Sequence, residues 1–580
     1  MNECPDVLIL GGGIGGLSTA HCLRHLGFDG SITILEANDQ VGGEARSANI
    51  PGTATEGRQD LPTEHCWRIY GAGYTHLFQI MKQIPLIEGE GGTVFDHLVA
   101  LEHFFSAPAH GKVRLFDQSA KGFWNYTQTA RQGMTARQKW KLLNKVLYAA
   151  TCSKRRLSEE LADQTWSEFL SPPTQAGVNY FVRAFGPFFG VDCYKTSASS
   201  VWEILENTGG PVSKYYATPG NTMVMNGPTS EVWFRHWHSY LSDRNVKILT
   251  QERVMHLHLD STFSHILGVQ SRNEKTGQET KWNSPWVVCA LPIKVASRLL
   301  SATSISRQLH LLAPRGEQHM VGVQLYFGEK LKLKHNSLAL YLPDSPWQLI
   351  IEPQGFLWDA QIEKQYGDKS IHDIWSVGIC DPEQPGTSTG RRYMECSRHE
   401  VEEEVWLQII ATESLSSLVE PESGIALAHL KPVRIHLWDA CVDVVGGGLF
   451  TSEPKTSPNS GTWKLRPSVT CDVDNLLFAT SYTKGSREMI LMDAAAEAGS
   501  NAARQILGIT TPNFPVRKRS NRVLFGPLRL LDDSLMRWKR PHLSTILGGQ
   551  SSLVFLSYVA LVLVIAVLVL VKGLRLLCRK

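Results

Sequence analysis

Three glycines, Gly11, Gly13 and Gly16, stand in G-x-G-x-x-G spacing directly after the apolar run Asp6 to Leu10, and an acid, Glu36, follows twenty positions after the last of them. Each residue type answers a physical demand of holding a dinucleotide. The first glycine permits a tight turn, the second lets backbone approach a pyrophosphate, and the third lets a helix sit close to a strand. Gly15, within the same run, belongs to the same candidate surface. A helix from about Ile14 to Leu26 would aim its N-terminal amides at the phosphates, Gly27 would end it, and Ser31 to Leu35 would form a second strand. Glu36 at that strand's end can accept hydrogen bonds from a free ribose hydroxyl and would repel a 2′-phosphate, which disfavours NADP. NAD and FAD both offer that hydroxyl, so the acid alone does not separate them.

The residues after the acid read "EANDQVGGEARS", with Gly42, Gly43 and Arg46 just past Glu36. Here the chain resembles the flavin amine oxidoreductase superfamily, which includes monoamine oxidases, protoporphyrinogen oxidase and carotenoid desaturases. The resemblance implies FAD as the cofactor, a Gly-Gly pair passing close to the flavin end, and a nearby arginine on phosphate. Many members carry that arginine directly after the glycines, where this chain has Glu44.

"NLLFATSYTKGSREMILMDAAAEAGSNAARQILG", Asn475 to Gly508, resembles the same superfamily's FAD-closing segment through Asn475, Leu476, Phe478, Ala479, Met492, Asp493, Ala494, Gly499 and Ala503. Two positions depart: Thr480 replaces a glycine, and Ser481 stands where an acid usually meets the ribityl chain. A hydroxyl there offers no charge-assisted contact, which implies weaker FAD binding or another loop path. A third match covers a helix ending near Asp243, the strand Val246 to Leu249 and a strand beginning at Val254, where the family holds adenine through a backbone contact. "WVVCALPIKVASRLL", from Trp286, matches the strand and helix that return the chain to the flavin domain.

The elements that must position these residues follow from their spread. The expected fold class is α/β, a Rossmann-like FAD-binding domain of the GR2/amine-oxidase type with an α+β substrate domain and one C-terminal transmembrane helix. The nucleotide domain is expected from residues 1–95, 215–300 and 460–510, and the substrate domain from 96–214 and 301–459. The first insert carries helical periodicity from Met134, and the second carries strand-like runs such as "HMVGVQLYFG" and "WQLIIEP".

For substrate, the stretch "TEHCWRIYGAGYTHLFQIMKQI" resembles a segment of carotenoid desaturases and squalene-linked flavoenzymes, matching at Glu64, His65, Tyr74, Leu77 and Met81. Arg68 replaces a family histidine, and His76 stands where asparagine is frequent. The resemblance favours an isoprenoid-like, lipophilic small molecule over an amine, with hydride transfer from a C–H bond to flavin N5. Oxygen and quinone both stay open as the electron acceptor. Glu64, His65 and Arg68 are the candidate proton acceptors or charge stabilisers, each also readable as a structural residue. Trp438, Trp463 and Tyr482 are candidates to line the flavin's pocket. A cysteine placed for covalent flavin attachment is lacking, and Cys441 reads as a core thiol. Two alternatives stay open, a flavin-containing amine oxidase and a degenerate flavin fold retained for binding.

Composition sets the remaining bounds. Against 55 acids the chain has 58 Lys and Arg, a formal charge of +3, which argues against nucleic-acid binding. Its eleven cysteines stand singly with no zinc-ligand spacing, so no metal site is expected and the bulk is read as facing the cytosol. No signal peptide precedes the first strand. Residues 553–571 hold nineteen residues without a charge, followed by Lys572, Arg575, Arg579 and Lys580, the pattern of a tail anchor in the mitochondrial outer membrane or endoplasmic reticulum. Between Val516 and Arg540, eight basic residues against two acids are interleaved with Leu, Phe, Met and Trp, suiting either an anionic leaflet or a solvated linker.

Overall fold

The computed structural model describes residues 2–560 except 67, 72, 88–90, 101–102, 118–119, 185, 188–189, 193, 209–221, 335–338, 359–360, 513 and 515–521. Its nucleotide half is a five-stranded parallel sheet. We label the strands β1 (Val7–Leu10), β2 (Ile32–Leu35), β3 (Val246–Leu249), β4 (Trp286–Cys289) and β5 (Leu476–Phe478). Their spatial order is β3-β2-β1-β4-β5, so strands from three distant stretches of chain lie side by side. The run Val7–Leu10 is wholly buried, as a central parallel strand covered on both faces must be.

Helix α1 (Ile14–His25) follows β1, and helix α2 (Met492–Leu507) follows β5. The two helices pack side by side. Their approach depends on small residues, because a Cβ on Gly499 would come within 2.5 Å of the Gly15 carbonyl oxygen. That explains the alanine-rich face of α2. An antiparallel meander, Glu252–Leu259, Ile266–Asn273 and Glu279–Trp282, extends from β3, and Asn2–Glu3 adds to its last strand in parallel.

The other half is a mixed seven-stranded sheet built from His103–Ser106, Arg114–Asp117, Val321–Phe327, Ala339–Tyr341, Ile350–Pro353, Asp373–Ile379 and Arg434–Leu437. Its central strands are buried from end to end. A helical insert includes Ala136–Thr151, Lys154–Glu159, Trp166–Leu170 and Ala198–Thr208. The helical run expected from Met134 breaks after Thr151, where Ser153 caps the next helix through the Arg156 amide.

Of the basic segment before the expected anchor, residues 516–521 lie outside the described residues. From Arg522 to Arg537 it is a helix docked on the insert, and the reason is electrostatic. Asp532 meets the Arg156 Nε at 2.7 Å with both groups buried, Arg529 pairs with Glu206, and the Arg529 Nε donates to the Ala150 carbonyl at 2.8 Å. Among the described residues no helix is long and apolar enough to cross a membrane. The expected span at 553–571 lies outside the described residues from 561 onward, and residues 551–560 are helical.

Candidate functional site

A cavity of about 460 Å³ runs along the carboxyl ends of the parallel strands, where open α/β sheets place their ligands. Gly11 turns the chain off β1 at φ +104°, a left-handed backbone that other residues resist, and its absent Cβ leaves room for the Ala290 carbonyl oxygen 2.5 Å from that point. Gly16 meets the Gly11 carbonyl in the same way, letting α1 sit on β1. Gly15 instead faces the Ala479 carbonyl, so the loop after β5 runs across the start of α1. Gly13 is open by comparison, its nearest neighbour being the Gly43 Cα at 3.8 Å from a built Cβ. No acid stands in the first turn of α1, and Gly13 supplies no side-chain cap, so the first amides face the cavity without a protein anion competing for them.

Glu36 lies at the cavity edge and is buried. Its carboxylate accepts from the Gly12 amide at 2.8 Å and from the Asn38 amide and side-chain nitrogen at 2.8 and 2.9 Å. Three donors leave capacity for one more bond. Burial raises its pKa above the usual carboxylate value while those donors pull against the shift. The Glu36 backbone bonds to Leu249 and Glu252, which brings Val254 to the same end of the cavity. Asn38 was absent from the sequence expectations, and its role, donating back to the acid two residues earlier, shows only in the fold.

A second polar grouping lines the cavity around Arg46, which does not stand free to meet phosphate. Its guanidinium bonds the Glu453 carboxylate at 2.6 Å and the Gly43 carbonyl at 2.9 Å, and lies over the Trp438 ring at 5.4 Å. Trp438 donates its Nε1 to Glu453 at 3.1 Å, so it is a support behind the wall, outside the lining. Trp463 is likewise outside the lining and packs on Arg466, whereas Tyr482 lines it and donates to the Leu291 carbonyl at 2.8 Å. Gly42, Gly43, Ser481 and Met492 all line the cavity. Glu44 opens into it, and the surrounding walls push its carboxyl up to about 7 with Glu453 adding to the shift and Lys455 opposing it. Glu453 and Lys455, hundreds of positions from the glycine run, carried no recognisable sequence signal.

Of the three catalytic candidates, His65 and Arg68 line the cavity and Glu64 does not. His65 lines the cavity at 2 % exposure and shares its Nε2 with the Glu453 carbonyl oxygen at 3.2 Å, while its Nδ1 has no protein partner. Held as an Nε2–H donor, the ring keeps Nδ1 as an acceptor, and burial lowers its pKa, so the neutral form persists. Glu64 lies outside the lining, pairs with Arg68 and accepts from the Thr229 amide at 3.3 Å. Arg68 donates to the Thr229 hydroxyl at 3.0 Å and the Arg46 carbonyl at 2.8 Å. Glu352, buried on the seven-stranded sheet, is pushed up to about 8 by desolvation, with Arg68 as the opposing influence. Glu64 and Arg68 thus form a buried strut that ties the stretch 64–68 to Thr229 and Arg46. The same stretch is pinned to α2, since the Asp493 carboxylate accepts from the Thr75 and Leu77 amides at 2.9 and 2.8 Å.

Outside the cavity, one group among the described residues, Cys152, Asp532 and His542, brings three possible metal ligands within 4.8 Å. Asp532 there is already satisfied by Arg156 and by the Ser153 amide at 2.7 Å. The described cysteines are all free, and Cys441 is a buried core thiol pushed up to about 11 by burial.

Residues 9–84 match the model of the NAD(P)-binding Rossmann-like domain family. No curated protein sequence matches the chain. Solved structures do resemble it. Cyclohexylamine oxidase from Brevibacterium oxydans IH-35A superposes at a TM-score of 0.55 with 15% identity, covering 87% of this chain and 99% of that one. Putrescine oxidase bound to putrescine gives 0.57 with 14% identity over 88% and 100%. A putative protoporphyrinogen oxidase from Exiguobacterium sp. 255-15 gives 0.52 with 13% identity over 87% and 99%. At these identities the likeness is one of fold, and it runs through both halves of the molecule.

Proposed function

We propose that this chain is an FAD-dependent oxidoreductase of the flavin amine oxidoreductase type, acting on a lipophilic small molecule at a membrane. The observation that carries the reading is a cavity lined from Glu36 and Val254 through Gly11, Gly43 and Ser481 to His65 and Met492. Its residues fit an extended dinucleotide. An acid with a spare acceptor suits a ribose, uncapped amides at the start of α1 suit a pyrophosphate, and Gly13 leaves the backbone bare between them. Bound FAD would supply two-electron oxidation, accepting a hydride from a substrate C–H.

The protein's own contribution is orientation and proton handling. His65, neutral and with Nδ1 unpartnered at the cavity wall, is suited to accept a proton or a hydrogen bond there. Arg46 and Glu453 hold one another and fix the wall behind it, and the Glu64–Arg68 strut keeps that wall from moving. Lipophilic substrate and bilayer are supported by the resemblance of residues 63–84 and by the apolar run 553–571; the facing compartment remains the cytosol in this reading. Oxygen and quinone are the two acceptors it allows.

Amine oxidation is the second reading, favoured by two observations: Glu44 and Glu453 place carboxylates in the lining, and two similar folds belong to amine oxidases. The decisive experiment is to purify the protein, record its visible spectrum, and identify the released cofactor by mass spectrometry. Flavin bands and a mass of FAD are expected. A colourless protein that stays colourless after soaking with FAD would overturn the assignment. Peroxide release from an amine panel, against reduction by extracted lipids, then separates the two substrate classes.

A further inference from the structure

Large apolar side chains are exposed along two elements that are fastened together. On the helix Ala136–Thr151, Leu142 and Ala149 point inward while Trp140, Leu143 and Val146, three residues apart, share the outer side with 41, 43 and 36 % exposure. On the C-terminal segment, Trp538, Ile546, Leu547, Leu553 and Leu556 are all more than half exposed. Asn144 accepts from the Ser552 amide and hydroxyl at 2.8 and 2.9 Å, and the Trp140 Nε1 donates to Gln550 at 3.3 Å, so residues 550–552 run beside Trp140 and Asn144. His542 meets the Thr151 hydroxyl at 3.2 Å, closing the far end of the same contact.

Isolated exposed apolar residues need no explanation, but a contiguous group of this size marks an interaction surface. Its charge indicates the partner. Arg137, Lys139 and Lys141 are exposed on the helix, and Arg537, Lys539 and Arg540 on the segment, while neither 136–151 nor 537–556 contains an acid. Tryptophan, leucine and basic side chains interleaved on one side suit the headgroup boundary of an anionic bilayer. The helix 551–560 also leads directly into the uncharged run that ends at Val571.

We propose that the outer side of the helix Ala136–Thr151 and the docked segment 537–556 form one lipid-docking face that holds the body flat against an anionic bilayer. The proposal rests on the membrane reading above and deepens it: the body is seated on the lipid and does not swing on a flexible linker, because the buried Asp532–Arg156 and Arg529–Glu206 pairs fix the segment to the insert.

The test uses the full chain with Cys4→Ser and Cys578→Ser, carrying a fluorophore at Leu143→Cys or, as a control, at Val445→Cys on a hairpin turn of the other half. Each protein is added to vesicles of phosphatidylcholine and phosphatidylserine containing a lipid with a nitroxide near the headgroup. The expected result is about twofold quenching at position 143, none at 445, and a loss of that quenching in pure phosphatidylcholine or with Lys139→Glu, Lys141→Glu and Lys539→Glu together. Protein that floats with the vesicles but stays unquenched at 143 overturns the docking face and leaves the membrane reading standing. Protein that does not float overturns both. Quenching indifferent to lipid charge and to the three reversals overturns the anionic partner.

Discussion

The two polar ends of the cavity are built by opposite means. At the Glu36 end the work is done by backbone, with glycines that leave space, amides at a helix start and one acid held by its near neighbours in sequence. At the His65 end it is done by side chains from four distant stretches, Glu44–Arg46, His65–Arg68, Trp438 and Glu453–Lys455, holding one another by charge. Space at the first end is set by absent atoms, so it fails by crowding. Position at the second is set by pairing, so it fails when a partner is left alone in a low-dielectric interior.

The comparison breaks most readily at the charged end. Arg68→Met leaves the buried Glu64 carboxylate without its cation, and a loss of about 3–5 kcal/mol in urea unfolding is expected, partly restored by adding Glu64→Gln. A small loss from Arg68→Met alone would show that the strut is not what fixes that wall. At the glycine end, Gly15→Ala drives a methyl into the Ala479 carbonyl and should cost about 1–3 kcal/mol. Gly13→Ala has room by comparison and should keep its thermal midpoint while losing nucleotide affinity. If both alanines shifted the midpoint equally, Gly13 would be a packing residue and not a bare approach for a ligand.

Glu36→Gln keeps the shape but turns an NH2 toward the Gly12 or Asn38 donors, so a fall of about 1.5–2 kcal/mol, roughly tenfold or more in FAD affinity by titration, is expected together with a loss of about 1–3 kcal/mol in unfolding. Ser481→Asp should move affinity the other way by a few-fold, on the order of 1 kcal/mol, by adding a charge-assisted acceptor. Unchanged affinity would place the ribityl chain away from residue 481.

The smallest expected change is in a slope. Glu352 is held near 8, above its ordinary 4.5, so the folded protein keeps a proton there that the unfolded chain gives up. Its contribution to stability is therefore full below about 4.5 and declines as pH rises through 8. Glu352→Gln should flatten the decline in thermal midpoint between those values, and an unchanged slope would place the titration elsewhere.

What could be read from sequence follows the same division. The glycine end was legible because its demands are local: a turn after a strand, a helix start, and an acid at the end of the next strand fall within the first 36 residues. The composition of the segment after Val516 fits a leaflet or solvent equally well, so where it lies was not legible. Asp532, buried against Arg156, shows in the structure that the helix from Arg522 to Arg537 docks on the insert. The resemblance implied an arginine on phosphate near the glycine pair, and only the fold shows that the Arg46 guanidinium bonds Glu453, four hundred residues away.

By itself the sequence determined the nucleotide turn, since that rests on spacing along one short piece of chain, and the resemblance of separate stretches pointed to those that share the nucleotide domain. The tertiary structure alone decided which charges neutralise one another, which of Glu64, His65 and Arg68 faces the cavity, and where the C-terminal segment lies. Those outcomes depend on burial and on partners brought together across the fold, and neither quantity is a property of any local stretch.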